Sequence, residues 1–334
     1  MDERYTLLLN WLGDQLPDAD FTVTPASEDA SFRRYFRVRL KEVTRIVMDA
    51  PPAQEDSRPF VIIADALRAL GLQTPRVFAA DYEQGFLLLS DLGERQYLQA
   101  LSENTVEQLY NDALDVLLRL QTGGDPHSPL LPRYDRDLLL RELEIFREWF
   151  LGRHLGLSLN ADEQRMLDNL FATLADQALA QPPVWVHRDF HSRNLMFTAE
   201  NNPGVLDFQG AVIGPLTYDL VSLLRDCYIA WPPWQVERWA LAYRDKLLDR
   251  GFQSVAEPTT FLRAFDIMGM QRHLKAIGIF ARLNIRDGKP HYLSAIPRTL
   301  TYVMEVVGRY PELDAFGAWL MGRGITPAKL KSDA

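Results

Sequence analysis

Val184-Trp185-Val186-His187-Arg188-Asp189-Phe190-His191-Ser192-Arg193-Asn194-Leu195, followed shortly by Val205-Leu206-Asp207-Phe208-Gln209, is the stretch on which the reading of this chain turns. Three apolar residues run as a strand into His187-Arg188-Asp189, and Asn194 stands five positions beyond Asp189. Leu195-Met196-Phe197 and Gly204-Val205-Leu206-Asp207 read as a strand pair joined by the loop Ala199-Glu200-Asn201-Asn202-Pro203. Such a hairpin folds Asp207, eighteen residues after Asp189, back beside Asn194. A His-x-Asp triplet alone arises by chance, and an Asp closing a strand is commonly a turn former. The weight lies in the combination.

Phosphoryl transfer needs one carboxylate to orient and deprotonate the attacking hydroxyl, with hard oxygen ligands holding metal against nucleotide phosphates. Magnesium takes carboxylate and carbonyl oxygens plus water. Asp189 is suited to the first task as catalytic base, and Asn194 and Asp207 to the second as Mg²⁺ ligands.

Upstream, the chain reads as a helix and then strands. Leu8, Leu9, Leu12 and Leu16 recur at helical spacing over Tyr5 to Leu16. Phe32 to Leu40 alternates apolar and basic residues, with Arg45-Ile46-Val47-Met48 as antiparallel partner. A helix is expected from about Pro59 to Leu70, stopped by Gly71, then a strand pair at 77–80 and 86–89. Beyond Asp91-Leu92-Gly93 the pattern turns helical, with segments at 105–121, 136–151, 161–180, 217–230, 233–249, 259–283 and 297–309. The expected fold class is α+β: a small antiparallel-sheet lobe over 1–92 covering the nucleotide, and a large helical lobe over 93–334.

Composition narrows the setting. The 334 residues are 47% hydrophobic and 24% charged, the balance of an ordinary globular protein. The single cysteine, Cys227, excludes an intramolecular disulfide and a multi-thiolate zinc site. A net charge of −9 opposes general nucleic-acid binding. The N-terminus has neither the basic start nor the apolar core of a signal peptide, and no apolar run is long enough to span a bilayer. A cytoplasmic enzyme is expected, with no nucleic acid, membrane or obligate protein partner.

His187-Arg188-Asp189-x-x-x-x-Asn194 resembles the catalytic loop of the protein-kinase-like phosphotransferases, in the branch of aminoglycoside and choline kinases, and Asp207-Phe208-Gln209 resembles their metal-binding Asp motif. The resemblance covers most of the chain and implies a two-lobed protein-kinase-like fold that clamps ATP. It places Ser90, Asp91 and Leu92 where such enzymes have the adenine hinge, and makes His187 a structural support. Tyr218-Asp219-Leu220 looks like that branch's helix start, whose Asp219 braces the catalytic loop. Asp207 and Asp219 are only twelve residues apart, which leaves no room for the activation segment of a protein kinase and favours a small acceptor.

Ser31 to Val38, Val47 to Pro52, Leu220 to Tyr228 and Met270 to Lys275 further resemble the anomeric sugar kinases of peptidoglycan recycling. That resemblance implies transfer to the anomeric hydroxyl of an amino sugar, N-acetylmuramate or N-acetylglucosamine, giving the α-1-phosphate. Two alternatives stand beside it: a kinase of another small alcohol, aminoglycoside or choline-like, and a catalytically silent nucleotide-binding protein.

The chain also departs from the family pattern. The phosphate-covering turn has no glycine, so Ser31 and Phe32 are expected to serve the phosphates there, or to form an ordinary turn. The strand Ile46-Val47-Met48-Asp49 lacks the phosphate-binding lysine. Arg33, Arg34 or Arg37 is expected to replace it, guanidinium being a bidentate phosphate partner, unless the three form a solvated strand face.

An acceptor with a carboxylate asks for a cation. Arg225, Arg272, His273, Lys275, Arg282 and Arg286 are the candidates, Arg272 and His273 being preferred because they interrupt an apolar helix. The alternative for that pair is a structural salt bridge with Asp226 or Asp266. His191 either braces the loop or touches the acceptor, and Asp226 is a candidate for sugar hydroxyls.

Overall fold

The computed structural model describes residues 3–17, 19–28 and 33–332. The N-terminal part begins with helix α1 (Glu3–Gln15), whose Leu8, Trp11 and Leu12 are buried. Strands β1 (Thr22–Glu28), β2 (Arg34–Arg39) and β3 (Thr44–Asp49) follow, then α2 (Arg58–Ala69), β4 (Val77–Asp81), β5 (Phe86–Ser90) and the short α3 (Tyr97–Ala100). The five strands form one antiparallel sheet in the order β1-β2-β3-β5-β4. Its apolar positions Val38, Val47, Phe86 and Leu88 pack against α1, which hides one face from water. β1 does not stand out in the sequence because Thr22-Val23-Thr24-Pro25-Ala26-Ser27-Glu28 hardly alternates. It is an edge strand with a bulge between Pro25 and Ser27, a position where a proline without an N–H is tolerated.

The chain continues through α4 (Val106–Gly123), α5 (Arg136–Ile145), a π-helical extension of α5 (Phe146–His154), and α6 (Ala161–Leu179). Asn160 and Glu163 cap α6 reciprocally, as a capping box requires. Strand β6 (Pro183–Val186) leads into the catalytic-loop motif, and β7 (Leu195–Met196) and β8 (Gly204–Val205) are the short hairpin after it. β9 (Val212–Pro215) pairs with β6, a partnership that four-residue strands far apart in sequence do not announce. Helices α7 (Tyr218–Leu224), α8 (Pro233–Asp249), α9 (Pro258–Asp287), α10 (Ile296–Val307), α11 (Asp314–Gly322) and α12 (Pro327–Ser332) complete the order. No helix among the described residues is long and apolar enough to cross a membrane.

The chain divides into two compact units. The smaller runs through Ala100 and takes in Leu195–Gln209; the larger comprises Leu101–Asn194 and the chain from Gly210 onward. This differs from a single cut at residue 92, because the β7–β8 hairpin bridges onto Gln73 and Gln96. The larger unit is built around α9, thirty residues long, whose buried face carries not only Met270, Leu274 and Ile277 but also Asp266, Gln271, Arg272, His273 and Lys275. A helix that buries charge must supply partners for it.

Gly278 lets α9 approach that closely. A Cβ there would meet the backbone of Ile145 and Phe146 at 2.6 Å, where α5 passes into its π-helical extension. Gly278→Ala is expected to cost about 1–3 kcal/mol, because packed backbone cannot give way as a flexible side chain can. A lowered urea midpoint at unchanged slope is the measurement, and an unshifted midpoint would show that the helices separate freely.

Candidate active site

In the larger unit, β6 delivers His187-Arg188-Asp189 and the following loop, and several backbone bonds fix the shape of that loop. Asp219, fully buried at the start of α7, accepts the N–H groups of His187 at 2.6 Å and Arg188 at 2.9 Å. Burial pushes Asp219 up to about 7, although both backbone hydrogen bonds pull the other way. Arg188 has a left-handed backbone, φ +76°, a conformation that side-chain-bearing residues adopt at a cost and keep only when held. Its guanidinium is held by Glu142 of α5 and donates to the carbonyl of Gly210.

Asp189 is half-buried. Its N–H donates to Nδ1 of His187 at 3.2 Å, and its carbonyl accepts Nδ2 of Asn194 at 3.0 Å. Burial alone would push its carboxyl up, but Lys275, then Arg272 and Arg188 outweigh burial and hold it below the ordinary carboxylate range. The two acids thus divide their duties: Asp189 carries the charge, and the buried Asp219 holds its proton more tightly. A carboxylate kept ionised at the end of a rigid loop is suited to accept a proton.

The same loop is tied from its other end. Asp226 accepts the N–H of Ser192 and of Tyr228, both at 2.9 Å. It was a candidate for sugar hydroxyls, and the structure engages both its oxygens in bracing backbone. His273 is completely buried, with Nε2 on the carbonyl of Arg225 at 3.0 Å and its ring stacked on Tyr302. Arg272 is buried as well, with Nη1 3.7 Å from the Cys227 sulfur. Arg225 pairs with Asp266, Lys275 with Glu142 and Arg286 with Asp287. The preferred pair of acceptor cations therefore faces interior partners, and Asp266 is taken by Arg225, Arg309 and Tyr310 rather than by Arg272. His191 leans its ring on Tyr228 at 5.5 Å, and its buried Nδ1 has no hydrogen-bond partner among the described residues. Burial holds that imidazole's pKa down, against Asp226 and Asp189, which favours the neutral ring.

The smaller unit carries Asp207. Leu195, next in the chain after Asn194, pairs with Val205, two residues before Asp207. Asp207 has φ +58°, accepts Nε2 of Gln209, and keeps a partly exposed carboxylate. Phe208 is buried against Phe60 of α2, centroids 4.8 Å apart, which anchors the motif behind the carboxylate. No cluster of three or more His, Cys, Asp or Glu suited to a metal occurs among the described residues. The Asn194 amide nitrogen donates to the Asp189 carbonyl, which leaves its oxygen as the atom of that side chain suited to a hard cation.

The arginines that were candidates for the missing lysine separate in the structure. Arg34 lies on Asp49, which also takes Arg4. Arg37 lies on Asp91 and Glu94. Arg33 is buried, holding Glu55 at 2.7 Å and the Tyr35 hydroxyl at 3.3 Å, with Nη1 3.9 Å from the Asp207 carboxylate. Burial opposes its charge, but Tyr35 and Glu55 outweigh burial and raise its pKa. Glu55 gives no signal in the sequence, since nothing local marks an acid in a Pro-rich loop as the partner of an arginine 22 residues earlier. In the expected hinge, Ser90 Oγ accepts the Arg76 N–H and the Asp91 carboxylate accepts the Gly93 N–H, both at 2.9 Å, and Leu92 is half-buried. Ser31 and Phe32 lie outside the described residues.

The fold is protein-kinase-like. It is shared with an ADP-bound aminoglycoside phosphotransferase, 18% identical with a TM-score of 0.57 over 91% of this chain and 98% of that one. It is shared also with a Plasmodium vivax ethanolamine kinase, 11% identical with a TM-score of 0.64 over 94% and 89%. Residues 22–258 match the phosphotransferase enzyme family APH, and the chain belongs to that family. Among its relatives are the N-acetylmuramate/N-acetylglucosamine kinases of Pseudomonas putida, 46% identical over 95% of both chains, and Neisseria meningitidis, 41% identical over 96% of both.

Proposed function

We propose that this chain is an ATP-dependent sugar kinase that phosphorylates the anomeric hydroxyl of N-acetylmuramate and N-acetylglucosamine, giving the α-1-phosphate in the cytoplasmic recycling of peptidoglycan. The observation that carries the reading is the fixed Asp189 loop in a chain 46% identical, over 95% of its length, to a kinase named for those two sugars. Asp189 accepts the proton of the sugar hydroxyl as that oxygen bonds to the γ-phosphorus; the bond from phosphorus to the bridging oxygen breaks and ADP leaves. Asn194 and Asp207 are the proposed ligands of Mg²⁺, and His187 and Asp219 keep Asp189 in place. When bound, Mg²⁺ offsets negative charge on the phosphates. Ser90, Asp91 and Leu92 are proposed to meet adenine, with Ser31 and Phe32 at the phosphates.

The test is ADP release with N-acetylmuramate, N-acetylglucosamine and an aminoglycoside in parallel, followed by phosphorus NMR of the product. Release with the amino sugars and a 1-phosphate signal is expected. Release with the aminoglycoside alone, or with none of the three, would overturn the proposal.

Arg33 is the proposed phosphate cation, because its guanidinium lies 3.9 Å from the Asp207 carboxylate. Arg33→Ala is expected to weaken ATP binding by about 10- to 100-fold, the range for a lost hydrogen bond to a charged group. Arg34→Ala is expected to change it by no more than about threefold, since Arg34 answers Asp49. Calorimetric titration of both variants decides between them, and equal effects would remove the assignment.

A further inference from the structure

We infer that Arg193 is the specificity residue for an anionic acceptor, binding the lactyl carboxylate of N-acetylmuramate while the faces of Tyr228 and Tyr292 flank its guanidinium. The inference rests on the sugar-kinase reading above and adds to it the group that separates the two sugars. N-acetylmuramate differs from N-acetylglucosamine by a lactyl ether bearing a carboxylate, so a site preferring the former needs a cation not already committed to a protein carboxylate.

The cations on the neighbouring helices are largely committed: Arg225 to Asp266, Lys275 to Glu142, Arg286 to Asp287. Arg272 is buried against sulfur, and Arg298 donates to the Cys227 carbonyl. Arg193 makes no ion pair with a carboxylate among the described residues, is half-buried, and sits on the catalytic loop four residues after Asp189. Its guanidinium lies 4.1 Å from the Tyr228 ring centroid and 5.7 Å from that of Tyr292. Phe280 buttresses both rings, 6.2 Å from Tyr228 and stacked 5.9 Å from Tyr292. Aromatic faces orient a guanidinium without neutralising it, leaving the edge N–H groups to grip a carboxylate bidentately. The ring of His191, two residues beyond the base, rests on the same Tyr228, so one wall links Arg193 to the loop that holds Asp189. Arg282 likewise shows no carboxylate pair among the described residues, but it stands on α9, away from the catalytic loop in sequence, where burial and then Arg286 disfavour its charge.

The test compares kcat/KM for N-acetylmuramate and N-acetylglucosamine in wild type, Arg193→Gln and Arg193→Lys. In Arg193→Gln the preference for N-acetylmuramate is expected to fall about 10- to 100-fold, through KM for that sugar, and in Arg193→Lys to return only in part, since an ammonium keeps the charge but not the bidentate grip. A ratio within about twofold of wild type in Arg193→Gln overturns the inference, whether both activities persist or both fall together. The wild-type protein supplies a check that needs no variant. It is expected to use the lactyl amide of N-acetylmuramate much less well than the acid, and equal use of the two overturns the inference. If wild type phosphorylates neither sugar, the sugar-kinase reading falls and this assignment with it; normal use of both sugars with an unchanged ratio removes this assignment alone.

Discussion

Asp189→Asn is expected to lower kcat by about 10²–10⁴, the usual share of general-base catalysis, with the loss in turnover rather than in the KM for ATP. Asparagine preserves the size of the side chain and the backbone bonds to His187 and Asn194, so the loop is expected to stay folded. What disappears is the acceptor for the hydroxyl proton. The pH profile is a second readout. Lys275 is foremost among the cations that overcome burial and hold Asp189 low, so the base stays ionised to below the ordinary carboxylate range. Activity that depends on the ionised form is lost as pH falls through that depressed value, and wild-type kcat/KM is expected to be flat through neutrality on this account. Single-turnover kinetics would measure it. Near-normal turnover in Asp189→Asn would remove Asp189 from the chemistry.

The loop proposed to carry catalysis was legible as a unit because it is local. His187, Asp189 and Asn194 lie within eight residues, and the loop binds its own backbone. Asp219 was legible only through the family resemblance, but its bonds to the His187 and Arg188 N–H groups give the bracing role a physical basis. The sheet was readable where strands alternate, as β2 does, and not where an edge strand is mostly polar, as β1 is. Equally silent was the division of labour among the arginines. Arg33 and Arg34 are neighbours in an extended chain and point to opposite sides, so one meets Glu55 and the other Asp49. Composition counts both as basic residues. Only their long-range partners tell them apart, and partners 22 and 15 residues away are fixed by tertiary packing. The two readings of the polar stretch on α9 could not be separated in the sequence for a related reason. A polar interruption in a helix marks a buried polar site as readily as a binding site, and on α9 the interruption is answered from α5 and α7.

Glu142→Gln is expected to be among the most destabilising single changes in the larger unit. The Glu142 side chain is 6% exposed and holds Arg188, Lys275 at 2.9 Å and the hydroxyl of Tyr134. The substitution keeps the shape and removes the carboxylate that is ion-paired with both cations. A buried pair broken from one side costs about 3–5 kcal/mol, because the remaining charge is left uncompensated. Burial would raise the Glu142 pKa, but Lys275 and Arg188 outweigh burial and lower it. A depressed carboxylate contributes stability above its unfolded pKa, and that contribution is lost as pH falls through the folded value. The gap between wild type and variant is therefore expected to be full at neutral pH and to close in acid, below the ordinary glutamate range. Thermal melts across pH would show a drop of roughly 5–15 °C near pH 7, shrinking as the solution is acidified. Activity should suffer too, because Glu142 anchors the guanidinium of Arg188, whose left-handed backbone immediately precedes Asp189. A variant that melts within about 2 °C of wild type at neutral pH would show that the two cations find other partners. The ion network behind the catalytic loop would then be incidental to its shape.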